Sequence, residues 1–185
     1  KQNIIEVKSN IDKYLIKTPV LRFDFIDYLC HSEVFFKCEN FQHTGSFKYR
    51  AALNAIKNIP YVFKKRGVIT NSSGNFALAL SRASHELNIP CYIIMPSNTP
   101  EFKKKSVLKY TNNIIECEPN LNAREQTTNT VIKEKNLFFL HPSNNMDVIL
   151  GNSTCAYEFI EDYPNLDFIF SPIGGGGLIA GTSIA

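Results

Sequence analysis

Residues Thr44-Gly45-Ser46-Phe47-Lys48-Tyr49-Arg50 follow an apolar run, Val34-Phe35-Phe36, and lead into an amphipathic stretch, Ala51-Ala52-Leu53-Asn54-Ala55-Ile56. The pattern places a small-residue turn between a strand and a helix and delivers one lysine to the start of that helix. A lysine there is either a solvated surface charge or an amine whose pKa is lowered by its surroundings. In the second case it is a nucleophile toward a carbonyl or aldehyde. This segment alone leaves both readings open. Two further segments bear on the choice, Ser72-Ser73-Gly74-Asn75 and Gly174-Gly175-Gly176-Gly177.

Working outward from Lys48, apolar runs alternate with amphipathic stretches along the chain. Strands are expected at 34–38, 68–70, 91–95, 114–116, 138–140 and 168–171, each short and continuously apolar, as in strands buried on both faces. Helices are expected at 46–57, 75–87, 100–110, 122–134 and 146–161. Strands alternating with helices imply parallel crossovers and an open α/β sheet. Sites in such sheets form where loops leave the carboxyl ends of strands. All three informative segments follow an expected strand, so three loops can converge on one ligand.

Composition narrows the classes. The 185 residues are 44% hydrophobic and 20% charged, a globular profile. A net charge of +3 is too small and too evenly spread for a nucleic-acid partner, and Lys103-Lys104-Lys105 reads as a solvated helix face. No apolar run is long enough to span a bilayer, so no membrane partner is expected. Of five cysteines (Cys30, Cys38, Cys91, Cys117 and Cys155), none are in C-x-x-C spacing, and reduced, buried thiols in a cytoplasmic protein are expected. His31, His43, His85 and His141 show no metal-ligand spacing, and no metal site is proposed from them.

Four consecutive glycines between a strand and a helix leave backbone amides bare, and the following helix adds its N-terminal partial charge. Gly174, Gly175, Gly176 and Gly177 therefore read as an anion cradle, most often for phosphate, ahead of a flexible turn. No Lys-Ser/Thr follows, and the G-x-G-x-x-G spacing is absent, so this is neither a nucleoside-triphosphate loop nor a dinucleotide fingerprint. By themselves, Ser72, Ser73, Gly74 and Asn75 read more readily as a helix N-cap than as ligand contacts.

Taken in order, the Lys48 segment, Ser-Ser-Gly-Asn and Pro172-Ile173-Gly174-Gly175-Gly176-Gly177-Leu178-Ile179-Ala180-Gly181 closely resemble the pyridoxal-phosphate enzymes of the tryptophan-synthase β-chain fold (fold type II). The best match is their serine racemase and serine/threonine dehydratase branch. Lys17-Thr18-Pro19-Val20-Leu21, Lys37-Cys38-Glu39-Asn40-Phe41-Gln42, Cys117-Glu118-Pro119 and His141-Pro142 extend the likeness over essentially the whole chain.

The resemblance implies a two-domain α/β fold with open, twisted, mostly parallel sheets and flanking helices. A large domain would comprise 1–65 and 143–185, with a small domain, 66–142, inserted in it. Lys48 would form the Schiff base with pyridoxal 5'-phosphate and, once freed, act as the base. Asn75 would meet the ring hydroxyl, Phe47 would pack beside the ring, and Gly174, Gly175, Gly176, Gly177 and Leu178 would hold the phosphate. Ser72, Ser73, Gly74 and Asn75 would bind the amino-acid substrate, with Ser73 on the ring face opposite Lys48. The activity implied is β-elimination from L-serine or L-threonine to a 2-oxo acid and ammonia. The alternatives are a serine racemase and a catalytically incompetent fragment or degenerate relative.

A homodimer is implied. Family members continue past the position of Ala185, so a longer enzyme is expected. The group facing the pyridine nitrogen and any divalent-cation site would lie beyond Ala185. The chain departs from the family's usual pattern at Phe76, where His is common, and at Asn152-Ser153, where Gln-Gly is common. Arg22-Phe23-Asp24-Phe25 stands where ATP-binding racemases carry a Ser-Ser pair.

Overall fold

Short apolar runs separated by helical stretches form one parallel sheet, and its strand ends decide where the chain's polar loops meet. The computed structural model describes residues 3–185, so the start of the expected 1–65 segment lies outside the described residues. In chain order the elements are α1 (Ile4–Ile11), β1 (Val20–Arg22), α2 (Asp24–Cys30), β2 (Phe35–Lys37), α3 (Lys48–Lys57), α4 (Tyr61–Arg66), β3 (Val68–Thr70), α5 (Asn75–Glu86), β4 (Cys91–Pro96), α6 (Glu101–Leu108), β5 (Ile114–Cys117), α7 (Leu121–Lys135), β6 (Phe138–Phe139), α8 (Met146–Asp162) and α9 (Gly177–Ile184). β1 and β2 form a small antiparallel pair, while β3 to β6 form a four-stranded parallel sheet in the order β5-β4-β3-β6. The α/β class read from the alternation is the one observed.

Side-chain alternation assigns the two faces of the sheet. Val68, Cys91, Ile93 and Met95 join the main core with Ala51, Leu53 and Ile56 of α3 and Ala77, Leu80 and Ala83 of α5. Ile69 and Ile94 point the other way and pack with Cys117, Val131 and Leu137 under α7. Both faces are therefore covered, which is why these strands carry no polar alternation.

The strand expected at 168–171 does not form. Those residues pair with no neighbouring strand, and Phe168 and Phe170 are 79% and 93% exposed. An apolar run becomes a strand only when another backbone satisfies its N–H and C=O groups, and the six strands among the described residues offer none there. β1, α1, α2 and α4 were not expected. α2 is short and buries no residue, and a helix of that kind leaves little apolar periodicity to read. All five cysteines are free, but only Cys91 and Cys117 are buried, and Cys30 lies exposed at the end of α2. The expectation of buried thiols is corrected there.

α8 crosses α3 at backbone contact. A Cβ added to Gly151 would stand 2.6 Å from the Arg50 carbonyl oxygen and 2.7 Å from Ala51 Cα, and neither atom can rotate away. Gly151→Ala is expected to lower stability by about 1–3 kcal/mol by forcing these helices apart. Chemical denaturation measures this. An unchanged midpoint would mean that the helices have room between them.

Candidate active site

The turn that delivers Lys48 is built from backbone conformations that favour its residue types. Thr44 and Gly45 both adopt positive φ, at 63° and 72°. Gly45 N–H donates to the Gln42 carbonyl at 2.8 Å, and Ser46 then returns to extended backbone. α3 begins at Lys48, two residues later than the pattern predicts. The Lys48 side chain folds inward. Its Nζ donates to the carbonyl oxygen of Pro142 at 2.7 Å. It lies 5.1 Å from the centroid of the Phe47 ring and 5.8 Å from that of Phe76. Burial holds the amine's pKa below the ordinary lysine value. Of the two descriptions open in the sequence, the solvated surface charge is not the one observed: Lys48 is a half-buried amine whose pKa burial lowers.

Sheet topology explains why Pro142 is there. β3 and β6 are parallel neighbours in register, Val68 with Phe138 and Ile69 with Phe139. Their carboxyl-end loops therefore leave the same edge side by side. β3 continues toward β4, while β6 lies on its other side, which makes their boundary a topological switch point. One cavity of about 450 Å³ opens there, lined by Ser72, Ser73 and Gly74 from the first loop and His141 and Pro142 from the second. The first turns of α7 close it with Leu121, Arg124 and Thr128. Capping does not account for the Ser-Ser-Gly-Asn segment. Gly74 is the cap residue of α5, no side chain caps the helix, and Ser72 Oγ accepts from Gly74 N–H at 3.3 Å.

The glycine run reaches the same place through Ser143. A Cβ on Gly175 would meet Ser143 Oγ at 2.5 Å, and one on Gly177 would lie 3.1 Å from Ser143 Cα. Gly176 takes positive φ, 79°. Cβ atoms at Gly174 and Gly176 would meet nothing within 4 Å, so one side of the loop is open. α9 starts immediately after it with no side-chain cap, leaving its first amides available to an anion. Leu178 is in the first turn of α9.

Of the expected site residues, Lys48 meets the 141–143 segment at Pro142, Ser72, Ser73 and Gly74 share a cavity with His141 and Pro142, and the glycine loop packs on Ser143, while Phe47 lies beside the Lys48 amine. Asn75 is exposed at the first position of α5, one residue before Phe76. Three participants were not singled out from the sequence. Pro142 contributes a backbone carbonyl, which no sequence pattern advertises. Ser143 supports the glycines. Arg124 lines the cavity with its Nε unpartnered. It was the one basic residue in the first half of its helix, a weak signal.

Behind the lysine lies a buried ion-pair network. Arg50, fully buried, donates to both carboxylate oxygens of Glu39 at 2.8 and 2.9 Å and to Glu158 at 3.0 Å. Lys37 donates to Glu158 and, at 2.9 Å, to the Thr18 carbonyl. Thr18 Oγ1 donates to Glu39 at 2.7 Å. The network ties β2, α3 and α8 together within two residues of Lys48. Among the described residues no cluster of three or more His, Cys, Asp or Glu side chains is gathered to hold a metal ion. No helix among them is long and apolar enough to cross a membrane.

A half-buried lysine amine, an open glycine loop at a helix start and a hydroxyl-lined cavity, all meeting the 141–143 segment, accompany a match to one family. The sequence model described as "Pyridoxal-phosphate dependent enzyme" matches residues 11–185. The chain belongs to that family. It is 42% identical over 183 residues to a serine racemase of Dictyostelium discoideum, covering 99% of this chain and 56% of that protein. It is 40% identical over 183 residues to a beta-hydroxyaspartate dehydratase of Paracoccus denitrificans, covering 99% of this chain and 58% of that protein. The crystal structure of the Dictyostelium discoideum serine racemase superposes with a TM-score of 0.94, covering 98% of this chain and 59% of that one. This chain thus spans little more than half the length of these relatives. Its residues fit the family's cofactor. The open side of the glycine loop, with uncapped amides at the start of α9, suits a phosphate, and the half-buried Lys48 amine suits an aldehyde.

Proposed function

We propose that this chain is the lysine-bearing part of an enzyme that eliminates water from L-serine or L-threonine to an enamine, which water then hydrolyses to a 2-oxo acid and ammonia. The observation carrying this reading is the placement of the Lys48 amine on the carbonyl of Pro142, a residue that also lines the Ser72–Ser73–Gly74 cavity and precedes Ser143, on which the glycine loop packs. Lys48, Phe47, Asn75, Gly174, Gly175, Gly176, Gly177 and Leu178 would hold pyridoxal phosphate. When bound, that cofactor supplies an electron sink for negative charge at the substrate's α-carbon. Ser72, Ser73 and Gly74, with Asn75, hold the substrate carboxylate through hydroxyl and amide groups. The Lys48 amine, its neutral form favoured by burial, takes the α-proton. The domain division at 66–142, closure across the cleft, a homodimer and a cytoplasmic setting suited to five free thiols belong to the same proposal.

Racemisation of serine is the second reading, supported by the 42% identity to a serine racemase and by the Ser73 hydroxyl in the cavity. It uses the same proton abstraction, followed by return of a proton from the face where Ser73 would stand. Arg124 adds a substrate to test. Its guanidinium, among the groups lining the cavity, offers a positive charge to a second carboxylate, as on a β-hydroxyaspartate.

Incubation of the holoenzyme with L-serine, L-threonine and β-hydroxyaspartate separates the readings. Release of 2-oxo acid supports elimination, accumulation of D-serine supports racemisation, and neither product marks a non-catalytic relative. If Ser73 carries the second proton, Ser73→Ala should reduce D-serine formation by about 10²–10⁴-fold while elimination falls far less. Equal loss of both would assign Ser73 to binding alone.

A further inference from the structure

The geometry points to His141 as a neutral hydrogen-bond donor of the candidate site, presenting Nε2–H to an oxygen of the bound amino acid. This rests on the amino-acid reading above and adds a residue to it. His141 is the residue before Pro142, and its ring lines the cavity shared with Ser72, Ser73 and Gly74. Its Nδ1 accepts two backbone N–H groups, from Ser143 at 3.1 Å and from Asn144 at 2.7 Å. A nitrogen that accepts must present a lone pair, so the ring's proton sits on Nε2.

Nε2 itself has no partner among the described residues, and the ring carrying it faces the cavity. Burial disfavours a second proton on the imidazole, and a positive charge on Lys48, whenever that amine is protonated, disfavours it further. The turn therefore fixes one tautomer and aims its single donor at the ligand space. A neutral donor has a specific use there. It grips a carboxylate or hydroxyl oxygen without placing another cation beside Lys48, whose role requires a neutral amine. Arg124 already brings one full positive charge to the opposite wall.

Two substitutions separate this role from a merely structural one. His141→Asn keeps an acceptor near the Nδ1 position for the turn amides and loses the distal donor. His141→Gln keeps a distal N–H donor near the Nε2 position and loses the close acceptor. With the holoenzyme and L-serine, kcat/KM is expected to fall about 10–100-fold in the Asn variant and only a few-fold in the Gln variant. Retained activity with Asn and loss with Gln would reduce His141 to a turn brace and overturn the inference.

Nitrogen NMR of the histidine-labelled holoenzyme, with the His141 signals assigned by their loss in His141→Gln, reads the tautomer directly. The expected result is a protonated Nε2, a bare Nδ1, and a displaced Nε2–H resonance on adding L-serine. A protonated Nδ1, or an Nε2–H unmoved by L-serine that is turned over, overturns the inference. If the wild type turns over none of the amino acids, the functional reading fails. The resonance titration with L-serine then judges His141 alone: a displaced Nε2–H supports the donor role, and an unmoved one overturns it.

Discussion

Replacing Lys48 by alanine is expected to abolish covalent capture of pyridoxal phosphate and to slow turnover by about 10³-fold or more. Two functions fall on the one amine. As a nucleophile it is the attachment point for an aldehyde, and as a base it removes the α-proton, a role worth about 10²–10⁴-fold by itself. The loss should leave folding largely intact. Among the described residues the side chain's one hydrogen bond is that from Nζ to Pro142, and a bond of this kind contributes about 1 kcal/mol net. Borohydride reduction followed by mass spectrometry gives the answer: the wild type should carry the cofactor mass on the peptide containing Lys48, and the variant should carry none. A variant that still acquires the label there, or turns over at the wild-type rate, would remove Lys48 from the mechanism.

The second large effect concerns stability. Arg50→Met should cost about 3–5 kcal/mol, because it removes one partner from a buried network and leaves the carboxylates of Glu39 and Glu158 facing each other's charge. Removing charge on the acidic side as well, as in a variant with Glu158→Gln added, should recover part of the loss. If both variants unfolded at the wild-type denaturant midpoint, the network would contribute nothing to stability. The pH dependence has a definite sign. Burial pushes the Glu158 carboxyl up, but Arg50 and Lys37 outweigh it, and the net direction is below its ordinary value of 4.5. A depressed carboxylate stabilises the fold fully above its ordinary value and loses that contribution as pH falls through the folded value. The wild type should therefore lose more stability on acidification than Arg50→Met does.

The helices were legible because α3, α5 and α8 bury apolar stripes whose period shows in the residues, and their starts fell within about two residues of expectation. The glycines stood out because four in a row exceed what a turn needs, whereas Lys48 and the serines were ambiguous by themselves and gained candidate roles only through the order of the three segments and the family resemblance. Phe168 to Ser171 was misread because an apolar run states what a segment wants to bury, while only a partner backbone makes it a strand. Pro142 was out of reach because its contribution is a carbonyl oxygen that every residue has. Its importance comes from register, since β6 lies beside β3, and the order of strands in a sheet is a property of no local stretch. His141 and Ser143 reached the cavity and the glycine loop in the same way.

The pairing of Val68 with Phe138 and of Ile69 with Phe139 has a consequence for how the protein is made. During synthesis the lysine, the serines and the whole of α5 emerge long before β6 does. A ribosome-bound chain stopped short of Phe138 would possess the reactive amine but no carbonyl to seat it and no second wall to the cavity. β3 must wait for the far strand while β4 and β5 close on its other side. Contacts so distant along the chain form slowly. The wall of the cavity that His141 and Pro142 supply is therefore complete only in molecules in which the last strand of the sheet has found its place.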